Sequence, residues 1–270
     1  MHPRALLDRF GYRPKKRFGQ NFLVDERAAQ RIAELAAAAP RIVEIGPGTG
    51  ALTRALIATG AHVAAIDVDD EMIRILHAQP ELAAAEIVHA DALTYDFEAF
   101  AQGGRWTMAG NLPYNIATPL IMRLIEMQHG PDALVVMVQK EVAGRFAAKP
   151  STPEYGSLSV AVQYAMHVER AFTLGPAAFF PRPKIDSAVV VLRRREQKAV
   201  AVKDEHRFLQ VVRAAFAYRR KTLANSVHLA LGLPRATVAQ ALEDAGLETE
   251  IRGEQLGLED FGRLADRLPA

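Results

Sequence analysis

Arg41-Ile42-Val43-Glu44-Ile45-Gly46-Pro47-Gly48-Thr49-Gly50 decides the fold of this chain. Three β-branched apolar residues in the first five predict a short buried strand, and the glycines that follow predict a tight turn. Residues 51–59 then have helical character and stop at Gly60. Working outward, apolar strands are expected over 63–66, ending in Asp67, and over 87–90, ending in Asp91. Two more are expected over 106–109, just before Asn111, and over 134–138, with helical segments at 71–78 and 115–127. Strands alternating with helices predict an α/β fold, a Rossmann-like parallel sheet with helices on both faces. Ligands of such sheets sit beyond the carboxyl ends of the strands, at the switch point. Gly46, Asp67, Asp91 and Asn111 all fall at that edge.

The pattern changes further on. A helix over 157–164 and a strand over 165–174 precede the proline-rich stretch Phe179-Phe180-Pro181-Arg182-Pro183, and a strand over 187–192 follows. The two strands are expected to pair as an antiparallel hairpin that closes the sheet. After Arg193-Arg194-Arg195 the periodicity is helical throughout. Phe208, Val212, Ala215 and Phe216 mark one apolar stripe; Val238, Leu242 and Ala245 mark a second; Leu258, Phe261, Leu264 and Leu268 mark a third. The domains expected are 1–196, with a basic N-terminal arm, and a small all-helical C-terminal domain over 197–270. No internal repeat is present.

Half of the 270 residues are apolar, enough for a sizeable core, and no apolar run approaches the length of a membrane span. The N-terminus lacks the apolar segment of a signal peptide, so a cytoplasmic protein is expected. With no cysteine there are no disulfides or thiolate metal sites, and the eight histidines lack ligand-like spacing, so no metal is expected. Net charge is only +2, but it is unevenly placed. Arg4, Arg9, Arg13, Lys15, Lys16 and Arg17 crowd the first twenty residues, and a second basic stretch runs from Arg193 to Lys221. One such cluster is ordinarily a solvated face. Two of them flanking a candidate ligand edge point to a phosphate-rich partner, and nucleic acid is the natural one.

The glycine loop has the spacing G-x-G-x-G, which departs from the dinucleotide signature G-x-G-x-x-G. Glu44, two residues before the first glycine, would repel a pyrophosphate and suits a ligand with an ammonium group. S-adenosylmethionine has that ammonium, a ribose and an adenine, but no phosphate. Asp67, about 20 residues past the glycines, is placed for ribose hydroxyls, and Asp91 for the cofactor's adenine amine. Each acid alone is more simply a helix cap or a surface carboxylate. Together with Gly46 and Gly48 they favour a methyl-donor site. Asn111-Leu112-Pro113-Tyr114 adds an amide, a proline-fixed carbonyl and an aromatic ring at a strand end. That trio suits a flat amine-bearing ring such as adenine, although the bland reading is a strand-to-helix turn.

Five stretches carry a family resemblance: Arg17-Phe-Gly-Gln-Asn-Phe-Leu-Val-Asp25, Val43 to Thr53, Asn111-Leu-Pro-Tyr-Asn-Ile-Ala-Thr-Pro119, Phe180-Pro-Arg-Pro-Lys-Ile-Asp-Ser187 and Ala214 to Leu223. In this order they resemble the small-subunit ribosomal RNA adenine dimethyltransferases, the kasugamycin-resistance methyltransferase family, from near residue 15 to the C-terminus. The resemblance implies transfer of four methyl groups to N6 of two adjacent adenines in the 3′-terminal hairpin of 16S rRNA, on the immature 30S subunit. It implies that Gln20, Asn21, Leu23, Gly46, Asp67, Asp91 and Asn111 contact S-adenosylmethionine or its pocket. It also implies that Asn111 to Tyr114 hold the target base while Phe180 stacks on its other face. The RNA-binding surface expected combines the arm, with Arg17, and Arg219-Arg220-Lys221; a monomer is expected. Aspartate at 67 and alanine at 117 stand where many members have glutamate and serine.

The amine chemistry agrees. Hydrogen bonds from N6–H to the Asn111 oxygen and the Leu112 carbonyl would favour a pyramidal nitrogen with a localised lone pair. No strong general base is required, and most of the catalysis would be positioning. Three rival readings stay open at this level: a 23S rRNA adenine methyltransferase of the antibiotic-resistance type, a DNA adenine methyltransferase, and a non-catalytic nucleic-acid-binding factor on the same scaffold.

Overall fold

The computed structural model describes residues 2–15 and 19–269; the side chains of Tyr114 and Asn115 lie outside that description. The chain divides into two compact units, residues 1–143 with 168–194, and residues 144–167 with 195–270.

The first unit opens with helix α1 (Pro3–Arg9), a two-residue strand β1 (Phe22–Leu23) and helix α2 (Glu26–Ala36). The alternating part follows: β2 (Arg41–Ile45), α3 (Ala51–Ala58), β3 (His62–Asp67), α4 (Asp70–His77), β4 (Glu86–His89), α5 (Phe97–Ala101), β5 (Trp106–Asn111), α6 (Tyr114–Glu126) and β6 (Ala133–Gln139). Beyond it come α7 (Lys140–Phe146), α8 (Ser157–Ala165), β7 (Met166–Leu174), β8 (Phe179–Phe180) and β9 (Ser187–Arg194). Seven strands form one sheet in the order β4-β3-β2-β5-β6-β9-β7. Strands β2 to β6 pair in parallel and β9 runs antiparallel to β6. The two strands expected to close the sheet are neighbours at its end, with β9 next to β6 and β7 outermost.

The order reverses between β2 and β5, which puts the switch point beside the glycine loop. These central strands are apolar on both faces, as parallel strands covered by helices must be: Ile42, Val43, Ala64, Ala65, Met108 and Ala109 are all fully buried. Gly110 permits the tight β2–β5 approach, because a Cβ there would lie 2.4 Å from the Ile45 carbonyl oxygen. Acidic caps start the helices around the site: Asp25 accepts from the Ala28 N–H and Asp69 from the Glu71 N–H.

In the second unit helices α9 (Glu205–Ala217), α10 (Leu223–Leu231), α11 (Arg235–Asp244) and α12 (Leu258–Ala265) bury the three apolar stripes, apart from Phe216 and Leu258, which stay half-exposed. The sequence pattern assigns residues 144–167 to the first domain. They pack instead with the helices of the second unit, because α8 is apolar nearly all round and its Tyr164 lies against Phe208 of α9, ring centroids 4.3 Å apart.

Candidate active site

A cavity of about 270 Å³ opens at the carboxyl ends of β2, β3, β4 and β5. The local sequence explains the opening. Gly46 and Gly48 take left-handed conformations, φ +68° and +55°, so the loop leaves the sheet edge without side chains in the way. At Gly48 the fit is closest, since a Cβ would sit 2.7 Å from the Phe22 ring. Gln20, Asn21, Gly46, Gly48, Asp67, Asp91 and Asn111 all line this cavity, with Phe22, Ile45, Ile66, Val68 and Leu93 as its apolar surface. Seven of the nine expected cofactor residues thus meet in one place.

Two do not. Leu23 faces the core beneath α2, and its neighbour Phe22 lines the cavity in its place. Glu44 stands behind the wall: it is 1% exposed, and Ile45 takes the lining position. Its Oε2 and the Thr53 hydroxyl are buried without hydrogen-bond partners among the described residues. Burial pushes the Glu44 carboxyl up to about 8; Thr53 draws it back without a well-formed hydrogen bond, Asp67 pushes it further up and Arg54 pulls it down.

Asp67 is also pushed up, to about 6, by burial, against the pull of the Asp69 N–H that donates to its Oδ1 at 2.9 Å. A ligand hydroxyl donating to the remaining oxygen would favour the charged form. Asp91 accepts from the Leu93 N–H at 2.8 Å and stays exposed.

The N-terminal arm is anchored on α4 before the chain reaches the cavity at Gly19 and Gln20, which sequence patterning does not reveal. Leu6, Leu7 and Tyr12 pack with Met72, Ile75 and Leu76 of α4. Buried Asp69 then accepts from the Tyr12 hydroxyl at 2.6 Å and from Lys15 Nζ at 2.8 Å. Burial alone would raise Asp69, but these two partners outweigh it and hold the carboxyl below the usual range. Gln20 joins the cluster, its Oε1 taking the Lys15 N–H at 2.8 Å. One residue on, the Asn21 carbonyl accepts from Asn111 Nδ2 at 2.9 Å. That bond fixes the orientation of the Asn111 amide and leaves its oxygen to face a ligand.

A second cavity, about 140 Å³, shares Gly19, Asn21, Asn111 and Pro113 with the first. Leu112, Ala117, Val138, Val142, Phe179, Pro183 and Ile185 form its apolar wall, and polar groups line the rest. The Leu112 carbonyl accepts no hydrogen bond among the described residues, while its N–H is spent on Met137. Phe180 is not in this wall. Strand β8 pairs with β1, setting Phe180 opposite Phe22 and Phe179 opposite Leu23. Phe180 therefore packs edge-on against His2, centroids 5.7 Å apart, and it is Phe179 that borders the cavity.

Arg219, Arg220 and Lys221 form an exposed turn of the second unit after α9, closed by the Lys221 N–H on the Tyr218 carbonyl at 2.9 Å. The Arg219 carbonyl accepts from Arg252. Arg17 and the Tyr114 ring lie outside the described residues. Among the described residues no group of three or more His, Cys, Asp or Glu is placed to hold a metal ion, and no helix is long and apolar enough to cross a membrane.

A switch-point cavity with a glycine cradle that a Cβ would fill, and a half-satisfied carboxylate for a ribose, fits S-adenosylmethionine. Its neighbour, joined through an oriented asparagine, fits the acceptor of a methyl group. The class is thus an S-adenosylmethionine-dependent methyltransferase. Residues 11–268 match the ribosomal RNA adenine dimethylase family, and the chain belongs to that family. A ribosomal RNA small subunit methyltransferase A from Magnetococcus marinus is 42% identical over 268 residues, covering 97% of this chain and 95% of its own. One from Streptococcus mutans is 43% identical over 276 residues, covering 98% and 95%. Among solved structures, a dimethyladenosine transferase from Plasmodium falciparum is similar over 90% of this chain and 95% of its own, with 26% identity and a TM-score of 0.71. The 23S rRNA methyltransferase ErmE is similar over 92% and 99%, with 27% identity and a TM-score of 0.63.

Proposed function

We propose that this enzyme dimethylates N6 of two adjacent adenines in the 3′-terminal hairpin of 16S rRNA, acting on the immature 30S subunit as a cytoplasmic monomer. The observation that carries this reading is the junction of the two cavities. There Asn111, its amide oriented by the Asn21 carbonyl, and Leu112, whose carbonyl is unspent among the described residues, border the smaller cavity, and in this reading they supply two acceptors. An exocyclic amine donates to both, which localises its lone pair away from them. Bound in the larger cavity, S-adenosylmethionine supplies an electrophilic methyl group.

Gln20, Asn21, Gly46, Gly48, Asp67 and Asp91 hold the cofactor in this reading, and Glu44 supports the loop from behind. The stacking role moves from Phe180 to Phe179, which borders the base cavity. Base–aromatic stacking contributes roughly 1–3 kcal/mol, comparable with the few kcal/mol needed to extrude a base. The exposed turn at Arg219, Arg220 and Lys221 meets RNA phosphates, which position the substrate without reading its sequence.

The small-subunit target is supported by the higher identity to the small-subunit relatives than to the 23S enzyme. The test is methyl transfer from labelled cofactor to immature 30S particles, 23S rRNA and DNA, with the products mapped. Two dimethylated adenines near the 3′ end of 16S rRNA are expected. Incorporation confined to 23S rRNA or DNA, or none at all, would overturn the reading.

A further inference from the structure

We propose that Gln139 and Ser187 read the ring nitrogens of the target adenine by donating hydrogen bonds to them, an inference that rests on the function proposed above. The acceptors at Asn111 and Leu112 engage only the exocyclic amine. Adenine also carries acceptor nitrogens, and a flipped base is recognised through hydrogen bonds to its edge as well as by stacking. A pocket that left those nitrogens unpaired would incur their desolvation cost at every turnover.

The smaller cavity has four polar side chains in its wall: Asn21, Asn111, Gln139 and Ser187. Two are already engaged, Asn111 Nδ2 on the Asn21 carbonyl at 2.9 Å and Asn21 Nδ2 on the Gly19 carbonyl at 3.0 Å. Gln139 and Ser187 have no side-chain hydrogen bond among the described residues. They are not independent of each other. Gln139 ends β6 and Ser187 begins β9, and the two are directly paired across the antiparallel ladder. Directly opposite residues put their side chains on the same face, here the face that borders the cavity.

The pair is also held in place. The Lys140 N–H donates to the Asp186 carbonyl at 3.0 Å, which extends the ladder one step past Gln139. Residues 183, 185 and 187 line the cavity while 182, 184 and 186 do not, an alternation that delivers Ser187 inward. Ser187 is 8% exposed, so its hydroxyl has little water to fall back on. A hydroxyl and an amide can each donate to a ring nitrogen. A structural role would need the two groups to bond the protein itself.

The experiment is a double-substitution cycle between enzyme and base. Immature 30S particles are assembled from 16S rRNA ligated to a synthetic 3′ fragment whose target adenines are adenosine, 1-deaza-, 3-deaza- or 7-deazaadenosine. The parent, Ser187→Ala and Gln139→Leu are compared on each by kcat/KM. Loss of one hydrogen bond should lower the parent's kcat/KM about three- to tenfold on at least one deaza substrate. The variant lacking the matching donor should show that loss on plain adenosine and no further loss on the deaza substrate. Cofactor affinity and melting temperature should stay at parental values. Gln139 is exposed, so its variant serves even if Ser187→Ala folds poorly. Deaza losses of equal size in the parent and both variants, or none in any, would overturn the proposal. Failure of the parent on plain adenosine would instead remove the function proposed above.

Discussion

Glu44→Gln should make the protein more stable at neutral and alkaline pH, although it alters a buried residue of the central strand. Glu44 is 1% exposed and has one oxygen without a partner. Burial moves its carboxyl from an ordinary value of 4.5 up to about 8. Between those values the folded chain holds a proton that the unfolded chain has released. Stability therefore falls as pH rises through that window, and it is fully retained only below about 4.5. Each pH unit corresponds to about 1.4 kcal/mol, so the ceiling on the loss is about 5 kcal/mol. An unsatisfied buried polar group costs about 1–3 kcal/mol even when uncharged groups nearby relax around it, which sets the lower end. Glutamine keeps the shape and cannot ionise. Urea melts of parent and variant at pH 4, 6, 7 and 8 should differ least at pH 4 and separate progressively, with the variant gaining at least about 1 kcal/mol on the parent between pH 4 and pH 8. Parallel stability profiles across that range would refute the reasoning, because they would mean that Glu44 is charged throughout and paired.

Gly48→Ala places a Cβ 2.7 Å from the Phe22 ring at a φ of +55°. The left-handed backbone alone costs about 1–2 kcal/mol, so a melting point several degrees lower is expected, with calorimetric cofactor affinity reduced at least tenfold as the ring is driven into the cavity. Asp67, raised to about 6, would accept more strongly from a ribose hydroxyl when ionised. Cofactor affinity should fall about tenfold between pH 7 and pH 5, and titration calorimetry of Asp67→Asn should show that dependence flattened. Tyr12→Phe removes the 2.6 Å bond to buried Asp69. A hydrogen bond to a charged group contributes about 1.5–3 kcal/mol, and urea melts should register a loss in that range. Reversing charge at Arg220 and Lys221 together should weaken binding to immature 30S particles and flatten its salt dependence while leaving cofactor affinity intact; equal subunit affinity would sink the assigned role.

Much of the fold was legible because burial on both faces forces the central strands to be apolar runs, and because glycine, proline and acidic caps punctuate them. Asp67, Asp91 and Asn111 were legible for a related reason. Each comes at or just after the carboxyl end of a parallel strand, and that edge is where such sheets bind ligands whatever the side chains do. The arm's hold on Asp69 was not legible, since it joins Tyr12 and Lys15 to a residue more than fifty positions away.

The three displaced site residues share one physical cause. In a strand, neighbours face opposite ways, and Glu44 with Ile45, Leu23 with Phe22, and Phe180 with Phe179 are each a choice between neighbours. An amphipathic strand announces the answer through polar and apolar alternation, but β2 is covered on both faces and offers none. Strands β1 and β8 are two residues long, too short to show any alternation. Their parity is set by their pairing, and that pairing fixes both at once: with Phe22 opposite Phe180, Leu23 and Phe179 must share the other face. One long-range register thus decides which aromatic borders the larger cavity and which borders the smaller one. A slip of one residue there would exchange Phe179 for Phe180 while leaving every local propensity unchanged, which is why the ladder, more than either phenylalanine's identity, sets which ring forms this wall.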